Sequence, residues 1–208
     1  MLKRRVVITG VGCVTPYGIG ANLAWDAVIN GKSGIKPLTF VNDEQLVKIG
    51  GEIPEFDVTQ YMTPKEAKRT DKFITYACVA ALEAAKSANF DIEKENPYEV
   101  GVLIGSGQGG IETIIENLHT MDKREYYKCS PFTVPMMIPN MASGKVSILL
   151  GAKGLNKSVA SACATGAHAV GDAFRAIQCS DADIVFAGGT EKSLTHFSIG
   201  AFTSAKAL

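Results

Sequence analysis

The sequence carries no excess of charge of either sign and no long apolar run. Lysine plus arginine and aspartate plus glutamate each number 21 among 208 residues, so the formal net charge is zero. A balanced chain has no overall field that would draw it to nucleic acid or a membrane surface. No apolar stretch reaches the roughly 20 residues of a membrane-spanning helix, and Val6–Ile8 is too short for a signal-peptide core. We therefore expect a cytoplasmic protein with neither nucleic-acid nor membrane partners.

The cysteines lack the spacings of a structural framework. They number five, at positions 13, 78, 129, 163 and 179, with no C-x-x-C pair and one left over from any complete pairing. This pattern is not that of a zinc knuckle or a disulfide-stapled domain, and it favours a reducing compartment. We expect no metal and no cofactor.

Short apolar segments alternate with helical patterns along the chain. Strands are predicted, with a weaker signal at 47–49, for Arg5–Gly10, Glu99–Ile104, Ser158–Ala162 and Ala182–Ala187. Helical spacing of apolar residues predicts helices at Asn22–Asn30, Thr63–Asn89, Ile111–Leu118 and Asn140–Leu150 and after Cys163, with 131–139 irregular. Because the strands are apolar on both faces and alternate with helices, we predict an α/β fold with a largely parallel sheet.

Two helix boundaries have specific signals. Thr63-Pro64-Lys65-Glu66 is a capping box with proline at the first helical position. Gly31 is placed to end the helix over Asn22–Asn30, because glycine readily adopts the left-handed conformation that follows a helix.

Cys163 lies where an apolar run gives way to a run of small residues, which predicts a strand turning sharply into a helix. Unpaired N–H groups and the helix dipole at that end favour thiolate over thiol. A thiolate there can attack an acyl carbon, and the same N–H groups can hold the oxyanion that forms. From this cysteine alone, an inert buried thiol is the commoner alternative.

The helix that follows Cys163 has almost no polar face. Its residues are mostly alanine and glycine, and glycine weakens a helix intrinsically. Such a helix persists when packing surrounds it, and small residues allow close approach. The rest of the chain supplies few helices to cover it, so we expect a second layer from elsewhere.

The segment Gly105–Gly110 matches G-x-G-x-x-G between a strand and a helix. A dinucleotide site also needs an acidic residue about 20 positions on, at the end of a second strand. Glu125 lies instead in a polar run. The glycines equally suit a backbone that passes close to another backbone or a ligand.

His168 is one of three histidines, with His119 and His196, and it follows Cys163 by five residues. Residues five apart do not share a helix face, so a direct pair with Cys163 is not expected. We interpret His168 as a hydrogen-bonded core histidine. Taken alone, Lys65, Lys68 and Arg69 are typical of a solvated helix face, and Asp181 and Asp183 of a turn.

Several segments together closely resemble the β-ketoacyl-[acyl-carrier-protein] synthases, condensing enzymes of the thiolase superfamily. The resemblance extends over the whole chain, with little insertion or deletion. It is carried by Arg4–Gly10, Gly105–Gly110, Ser130–Phe132 with Val134-Pro135, Ser161–Gly166, Asp181–Asp183 and Ala187–Lys192.

The resemblance implies a thiolase-like layered fold, of which residues 1–208 form the amino-terminal βαβ-type half around a mixed, largely parallel sheet and a buried nucleophile helix. It implies that Cys163 takes an acyl group from acyl carrier protein and that its N–H donates to the oxyanion. Malonyl carrier protein then loses CO₂, and its carbanion attacks the acyl-enzyme to give a 3-oxoacyl chain two carbons longer. A homodimer is also implied.

The resemblance further assigns binding roles. Lys65, Lys68, Arg69 and, as a weaker match, Lys128 correspond to basic groups that face the acidic carrier protein. Gln108 and Thr133 correspond to residues that reach the partner subunit's acyl pocket, and Phe202 to one that lines its own. Relatives have an apolar residue in place of Gln108 and often a larger aromatic in place of Thr133. Burying an amide costs free energy unless it is hydrogen-bonded, which leaves chain-length preference open.

The family's second half supplies two histidines, a lysine and a glycine-rich loop with the other oxyanion donor, and residues 1–208 do not include it. We therefore expect this chain to accept an acyl group but not to complete decarboxylation and condensation. Two alternatives remain at this stage: a non-catalytic scaffold or partner-binding remnant of the same family, and a nucleotide-binding oxidoreductase.

Overall fold

The computed structural model describes residues 4–42, 44–123 and 128–208. Its strands are β1 Val14–Thr15, β2 Gly18–Ile19, β3 Lys36–Pro37, β4 Ile49–Gly50, β5 Val100–Gly105, β6 Asn156–Lys157 and β7 Ile184–Gly189. Its α-helices are α1 Ala21–Ile29, α2 Pro64–Ala67, α3 Lys72–Ser87, α4 Ile111–Lys123, α5 Thr133–Met137, α6 Met141–Leu150, α7 Thr165–Gln178 and α8 His196–Ser204.

A parallel sheet with the strand order β6-β5-β7 forms the centre of the fold. All six residues of β5 are buried, and β5 pairs with β7 along its whole length, from Val100 opposite Ile184 to Gly105 opposite Gly189. Helix α7 connects β6 to β7, which run in the same direction. The prediction of an α/β fold with a largely parallel sheet is confirmed.

Helices cover both faces of the sheet. Val102 and Ile104 of β5 join the main apolar cluster with Phe73 of α3 and Val146 of α6. Gly105, whose position alternates with those two, lies against Thr165 of α7. Because successive residues of a strand point to opposite faces, α3 and α6 lie on one side and α7 on the other.

The predicted helix over Thr63–Asn89 is two helices. The capping box is present, since the Thr63 hydroxyl accepts the Glu66 N–H and the Glu66 carboxylate accepts the Thr63 N–H. Helix α2 nevertheless ends at Ala67, and α3 begins afresh with the Asp71 carboxylate as its N-cap. An aspartate that bonds the N–H two residues ahead starts a new helix more readily than it continues an old one.

Two predicted strands are wrong. Within the described ranges, 5–10 pairs with no strand, and its backbone runs over α3 with Gly10 against the Ala84 carbonyl. The segment 158–162 is also not a strand, because the ladder with β5 ends at Lys157. Both segments have strand composition, but a strand also requires an adjacent backbone with which to pair.

Helix α7 is covered along one side only. Its buried residues are Thr165, Ala169, Ala173 and Ala176, and they recur at the three- to four-residue spacing of one helix face. Val170 and Phe174, on the other side, are 48% and 44% exposed. The expectation of a buried nucleophile helix therefore holds for the sheet-facing side, and no described residue covers the rest.

The remaining elements lie close to their predicted places. Helix α1 ends one residue before Asn30, and Gly31 follows with a φ of 62°. Helix α4 runs five residues beyond the predicted end at Leu118, and the segment predicted to be irregular contains the short helix α5. Among the described residues, no helix is both long enough and apolar enough to span a membrane.

Candidate active site

Cys163 is exposed, in the middle of a 3₁₀ turn, Ala162–Ala164, that leads directly into α7. Ala162 has a φ of 51°, which places a residue with a Cβ in the left-handed region. Such a conformation costs of order 1–3 kcal/mol and persists when surrounding contacts impose it. The turn before Cys163 is therefore held in place by its neighbours.

Ser161 supplies many of those contacts. Its carbonyl accepts the Ala164 N–H at 3.1 Å, and its own N–H donates to the Thr165 hydroxyl at 2.8 Å. Its hydroxyl lies 2.6 Å from His168 Nδ1. Ser161 is thus bonded to the start of α7 through three polar atoms, on either side of the strained residue.

His168 does not occupy the core position predicted for it. It is exposed, on the uncovered side of α7. The part of the prediction concerning hydrogen bonding is correct, because its Nδ1 is paired with Ser161. The sheet-facing residues of α7 are Thr165 and three alanines, and this closely packed side has no room for an imidazole.

The start of α7 lies at the carboxyl edge of the sheet, where β5 and β7 both end. Gly189, the last residue of β7, packs so closely on the helix that a Cβ there would lie 2.9 Å from Gly166 Cα. The N-cap of α7 is Ala164, whose methyl group cannot accept a hydrogen bond. The first N–H groups of α7 are therefore not capped by the N-cap side chain. The Thr165 N–H bonds the Ala162 carbonyl, and the N–H groups that follow it are donors close to Cys163.

The glycine-rich segment Gly105–Gly110 already holds an anion of the protein's own. Glu191 Oε2 accepts the N–H groups of Gly107 at 2.8 Å and Gln108 at 3.2 Å, and its Oε1 accepts the Ser106 hydroxyl at 3.1 Å. A pyrophosphate would need these same donors. The arrangement argues against a dinucleotide site; Glu125, considered for that role, lies outside the described residues.

Of the residues implied to line acyl pockets, Gln108 bonds helix α8 and Phe202 is part of that helix. Gln108 is exposed, and its side-chain oxygen accepts the hydroxyl of the buried Ser198 at 3.4 Å. Phe202, one helical turn beyond Ser198, is 46% exposed. The amide of Gln108 thus has a hydrogen-bond partner, which offsets the cost of placing it beside an acyl chain.

Thr133 lies apart from this pair, at the first position of α5. Its hydroxyl is 2.7 Å from the Ser130 carbonyl and 2.9 Å from Asn117 Oδ1. These contacts tie the beginning of α5 to α4. Among the described residues, no hydrogen bond links Thr133 to Gln108 or Phe202.

The basic residues implied to face the carrier protein are exposed. Lys65, Lys68 and Arg69 follow one another along α2 and its end, and Lys128 is exposed in the segment that precedes α5. The Arg69 guanidinium lies 4.3 Å from the centre of the Phe132 ring. This cation–π contact places the end of α2 beside the residue before Thr133.

Asp71 is a buried carboxylate that the sequence did not single out. Its Oδ1 accepts the Phe73 N–H at 3.1 Å, and its Oδ2 accepts the Thr113 hydroxyl at 2.6 Å and the Thr113 N–H at 3.2 Å. Burial raises its pKa, although the hydrogen bonds from Thr113 and Phe73 act in the opposite direction. Asp71 thereby fixes the start of α3 against the start of α4.

One groove of the fold does not contain Cys163. It has a volume of about 1090 Å³ and is lined by residues of α3 and α4 and by the segments 39–40, 51–56 and 191–197. Charged side chains on its wall include Lys72, Glu112 and Lys192, and Glu191 is at its border with the glycine-rich segment. We place the candidate active site at Cys163, an exposed thiol on the turn that leads into the start of α7. Within the described ranges, no three His, Cys, Asp or Glu side chains cluster as metal ligands would.

Comparison with known proteins shows the family to which the chain belongs. Residues 3–208 match the family described as Beta-ketoacyl synthase, N-terminal domain, and the chain belongs to the β-ketoacyl synthase family. It is 44% identical over 207 residues to 3-oxoacyl-[acyl-carrier-protein] synthase 2 of a Synechocystis species, covering 99% of this chain and 50% of that protein. It is 44% identical over 208 residues to the same-named protein of Staphylococcus aureus strain COL, again covering 99% of this chain and 50% of the relative.

The structural comparison agrees. A complex of a type II polyketide acyl-carrier protein with its ketosynthase superposes with a TM-score of 0.83 at 24% identity, covering 97% of this chain and 55% of that one. At that identity the likeness concerns the fold, and the predicted thiolase-like layered architecture is confirmed. The chain spans about half the length of the curated relatives it matches.

Proposed function

We propose that this chain carries the acyl-accepting site of a 3-oxoacyl-[acyl-carrier-protein] synthase of fatty-acid elongation, with Cys163 as the nucleophile. The observation that carries the proposal is the position of Cys163, exposed on a strained turn at the uncapped start of α7. The names of the relatives support the reaction class.

The proposed first step is a thioester exchange. The Cys163 thiolate attacks the carbonyl carbon of the acyl thioester, and the carbonyl oxygen takes up the negative charge. In this proposal the N–H of Cys163 and N–H groups at the start of α7 stabilise this oxyanion. The intermediate then expels the carrier-protein thiolate, so that one thioester is broken and another is formed on Cys163.

The proposed second step belongs to the whole-length protein. Malonyl carrier protein loses CO₂, and the resulting carbanion attacks the carbonyl carbon of the acyl-enzyme and expels the Cys163 thiolate. The product is a 3-oxoacyl chain lengthened by two carbons. The two histidines and the lysine that the family resemblance assigns to this step lie outside residues 1–208, so we assign only the acylation step to this chain.

The proposed partner is an acyl carrier protein, approached through Lys65, Lys68, Arg69 and Lys128. These four side chains are exposed, and opposite charge at such a rim speeds encounter more than it deepens affinity. One of the proteins with the same fold is a ketosynthase in complex with an acyl-carrier protein. We also propose a homodimer, in which Gln108 and Thr133 reach the partner's acyl pocket while Phe202 lines its own.

Acyl loading tests the proposal directly. The 208-residue chain is incubated with a long-chain acyl carrier protein and analysed by intact mass and peptide mapping. We expect one acyl group on Cys163, no adduct in Cys163→Ala, and normal loading in Cys179→Ala, which removes the other exposed cysteine. A folded wild-type chain without an adduct, or an adduct that survives Cys163→Ala, would exclude the acceptor role.

One observation favours a second candidate, a partner-binding remnant without catalysis. Val7 and Ile8 near the amino terminus and Val170 and Phe174 on α7 are between 44% and 82% exposed. Large apolar side chains left in water mark interaction surfaces where they are contiguous. This candidate predicts a stoichiometric complex on sizing and no condensation. Adding a separately expressed carboxy-terminal half distinguishes the two, since restored condensation supports the enzyme.

A further inference from the structure

Glu191 follows β7 at a point where the backbone is firmly fixed. The N–H of the preceding residue, Thr190, donates to the Gly105 carbonyl at 3.0 Å, and the Thr190 hydroxyl donates to the Phe73 carbonyl at 2.6 Å. The following residue, Lys192, bonds Glu112 at 3.4 Å and the Leu194 carbonyl at 3.0 Å. Glu191 therefore projects from an anchored segment, and its neighbouring cation is engaged elsewhere.

The Glu191 carboxylate gathers donors from three consecutive residues of the glycine-rich segment, Ser106, Gly107 and Gln108. The Ser106 hydroxyl in turn accepts the Gly109 N–H at 2.9 Å. Hydrogen bonds to an ionised acceptor are roughly twice as strong as neutral ones. The conformation of this segment thus depends on one side chain that is more than 80 residues away in the sequence.

The same segment lies beside the turn that carries Cys163. A Cβ placed on Gly107 would lie 2.9 Å from Glu191 Oε2 and 3.7 Å from Ala162 Cα. Gly107, itself exposed, therefore lies between the carboxylate and the strained residue that precedes Cys163. The next residue, Gln108, extends toward Ser198 on α8. One carboxylate accordingly holds both the backbone beside that turn and the backbone of Gln108, the residue implied to contact acyl chains.

We propose that Glu191 is a positioning residue for acyl transfer to Cys163. By holding Gly107, it limits the movement of the neighbouring Ala162. By holding the backbone of Gln108, it sets the position of the Gln108 side chain. The inference rests on the proposed function, because it concerns the same reaction. Without the carboxylate, two N–H groups and the Ser106 hydroxyl lose their acceptor, and the glycine-rich segment changes conformation. The acyl thioester then meets a displaced Gln108 side chain and a less constrained turn before Cys163.

The test compares two reactions of Cys163 in the 208-residue chain. Acylation by acyl carrier protein requires the surrounding geometry, whereas alkylation by iodoacetamide requires only an accessible thiol. We expect Glu191→Ala to slow acylation between about tenfold and a hundredfold, the cost of misplacing a reacting group by about 1 Å. The iodoacetamide rate at Cys163 and the thermal midpoint should stay close to those of the wild type.

Two variants make the comparison specific. Glu191→Gln should regain most of the acylation rate, because its amide oxygen can accept the two N–H groups while its amide nitrogen donates to the Ser106 hydroxyl. Glu116→Gln removes an exposed carboxylate on α4 that lies away from the segment, and it should leave both rates unchanged.

The inference is overturned if Glu191→Ala is acylated at the wild-type rate, or if both rates fall together with the thermal midpoint. Hydrogen exchange at the Gly107 and Gln108 amides separates it from the proposed function. If exchange at these amides stays slow in Glu191→Ala, the inference that Glu191 anchors the segment is overturned, while the proposed acyl-accepting function stands. A wild-type chain that accepts no acyl group overturns the proposed function, and the positioning role with it.

Discussion

The buried Asp71 carboxylate accepts the hydroxyl of Thr113 at 2.6 Å and also caps α3, so it joins the starts of two helices. Burial raises its pKa above the usual value near 3.8. A carboxyl group whose folded-state pKa is raised binds its proton more tightly in the native state. Its ionised form therefore lowers stability as pH rises from about 3.8 through the folded-state pKa.

Replacing Asp71 with asparagine should remove this contribution to the pH dependence. The amide side chain can accept through only one oxygen, so we expect a loss of about 1–3 kcal/mol at neutral pH from the unpaired donors. The loss should become larger toward acid pH, because wild-type Asp71 is then protonated and its buried charge no longer lowers the stability of the wild type. Urea denaturation from pH 3.5 to 7 measures the difference, and a constant difference across that range would contradict it.

Glu66 should make the opposite contribution. Its hydrogen bond with Lys145, at 2.7 Å, and then its bonds with Thr63 lower its pKa from 4.5 to about 2. A lowered carboxyl pKa contributes stability that is complete above the unfolded-state pKa and is lost as pH falls from 4.5 through about 2. Glu66→Gln should therefore flatten the acid limb of the stability curve, whereas the exposed control Glu95→Gln should leave it unchanged.

The cysteines should differ in reactivity according to their surroundings. Burial raises the pKa of the Cys78 thiol to about 12, with Lys145 acting in the opposite direction. Cys78 is fully buried in the main apolar cluster, whereas Cys163 and Cys179 are exposed. We expect iodoacetamide at neutral pH to modify Cys163 and Cys179 in the native chain and Cys78 only in urea. Peptide mapping reads the result, and native labelling of Cys78 would contradict the packing.

Gly189 should tolerate no side chain, because its backbone meets the start of α7. A methyl group there would lie 2.9 Å from Gly166 Cα, whereas one on Gly188 would meet nothing within 4 Å. We expect Gly189→Ala to lose about 1–3 kcal/mol by overpacking, and the matched Gly188→Ala to stay within about 0.5 kcal/mol of the wild type. Chemical denaturation measures the free energy of unfolding of both variants. Equal losses in the two would contradict the close contact between Gly189 and Gly166.

Two serines close to Cys163 offer a second matched pair. The Ser161 hydroxyl is bonded to His168, whereas the Ser158 hydroxyl is buried with no hydrogen-bond partner among the described residues. Ser161→Ala should cost about 1 kcal/mol and slow acylation of Cys163, and Ser158→Ala should be neutral or stabilising. Thermal midpoints and loading rates of the two variants test this. A larger loss in Ser158→Ala would count against the described turn.

Local signals in the sequence predicted much of the fold. The capping box at Thr63, the glycine that ends α1 and the buried composition of β5 each depend on residues within one or two turns. The position of Cys163 at the start of a helix was recognisable for the same reason. The family resemblance then attached a chemistry to that position.

The errors arose where an outcome depended on distant parts of the chain. Arg5–Gly10 has strand composition, but pairing requires an adjacent backbone, and sequence composition does not say whether one is present. His168 was assigned to the core, although the sheet side of α7 accepts only small residues. The break between α2 and α3 depends on Asp71, which also bonds Thr113, 42 residues away.

The sequence by itself determined the family, the alternation of strands and helices, and the position of Cys163 before the start of α7, because these follow from residue type and short-range spacing. Only the tertiary structure decided that Glu191 fills the glycine-rich segment, that Gln108 is paired with Ser198, and that one side of α7 is left open. Such contacts join residues 80 to 90 positions apart. They depend on the order of strands in the sheet and on where each strand ends, which short-range spacing does not encode.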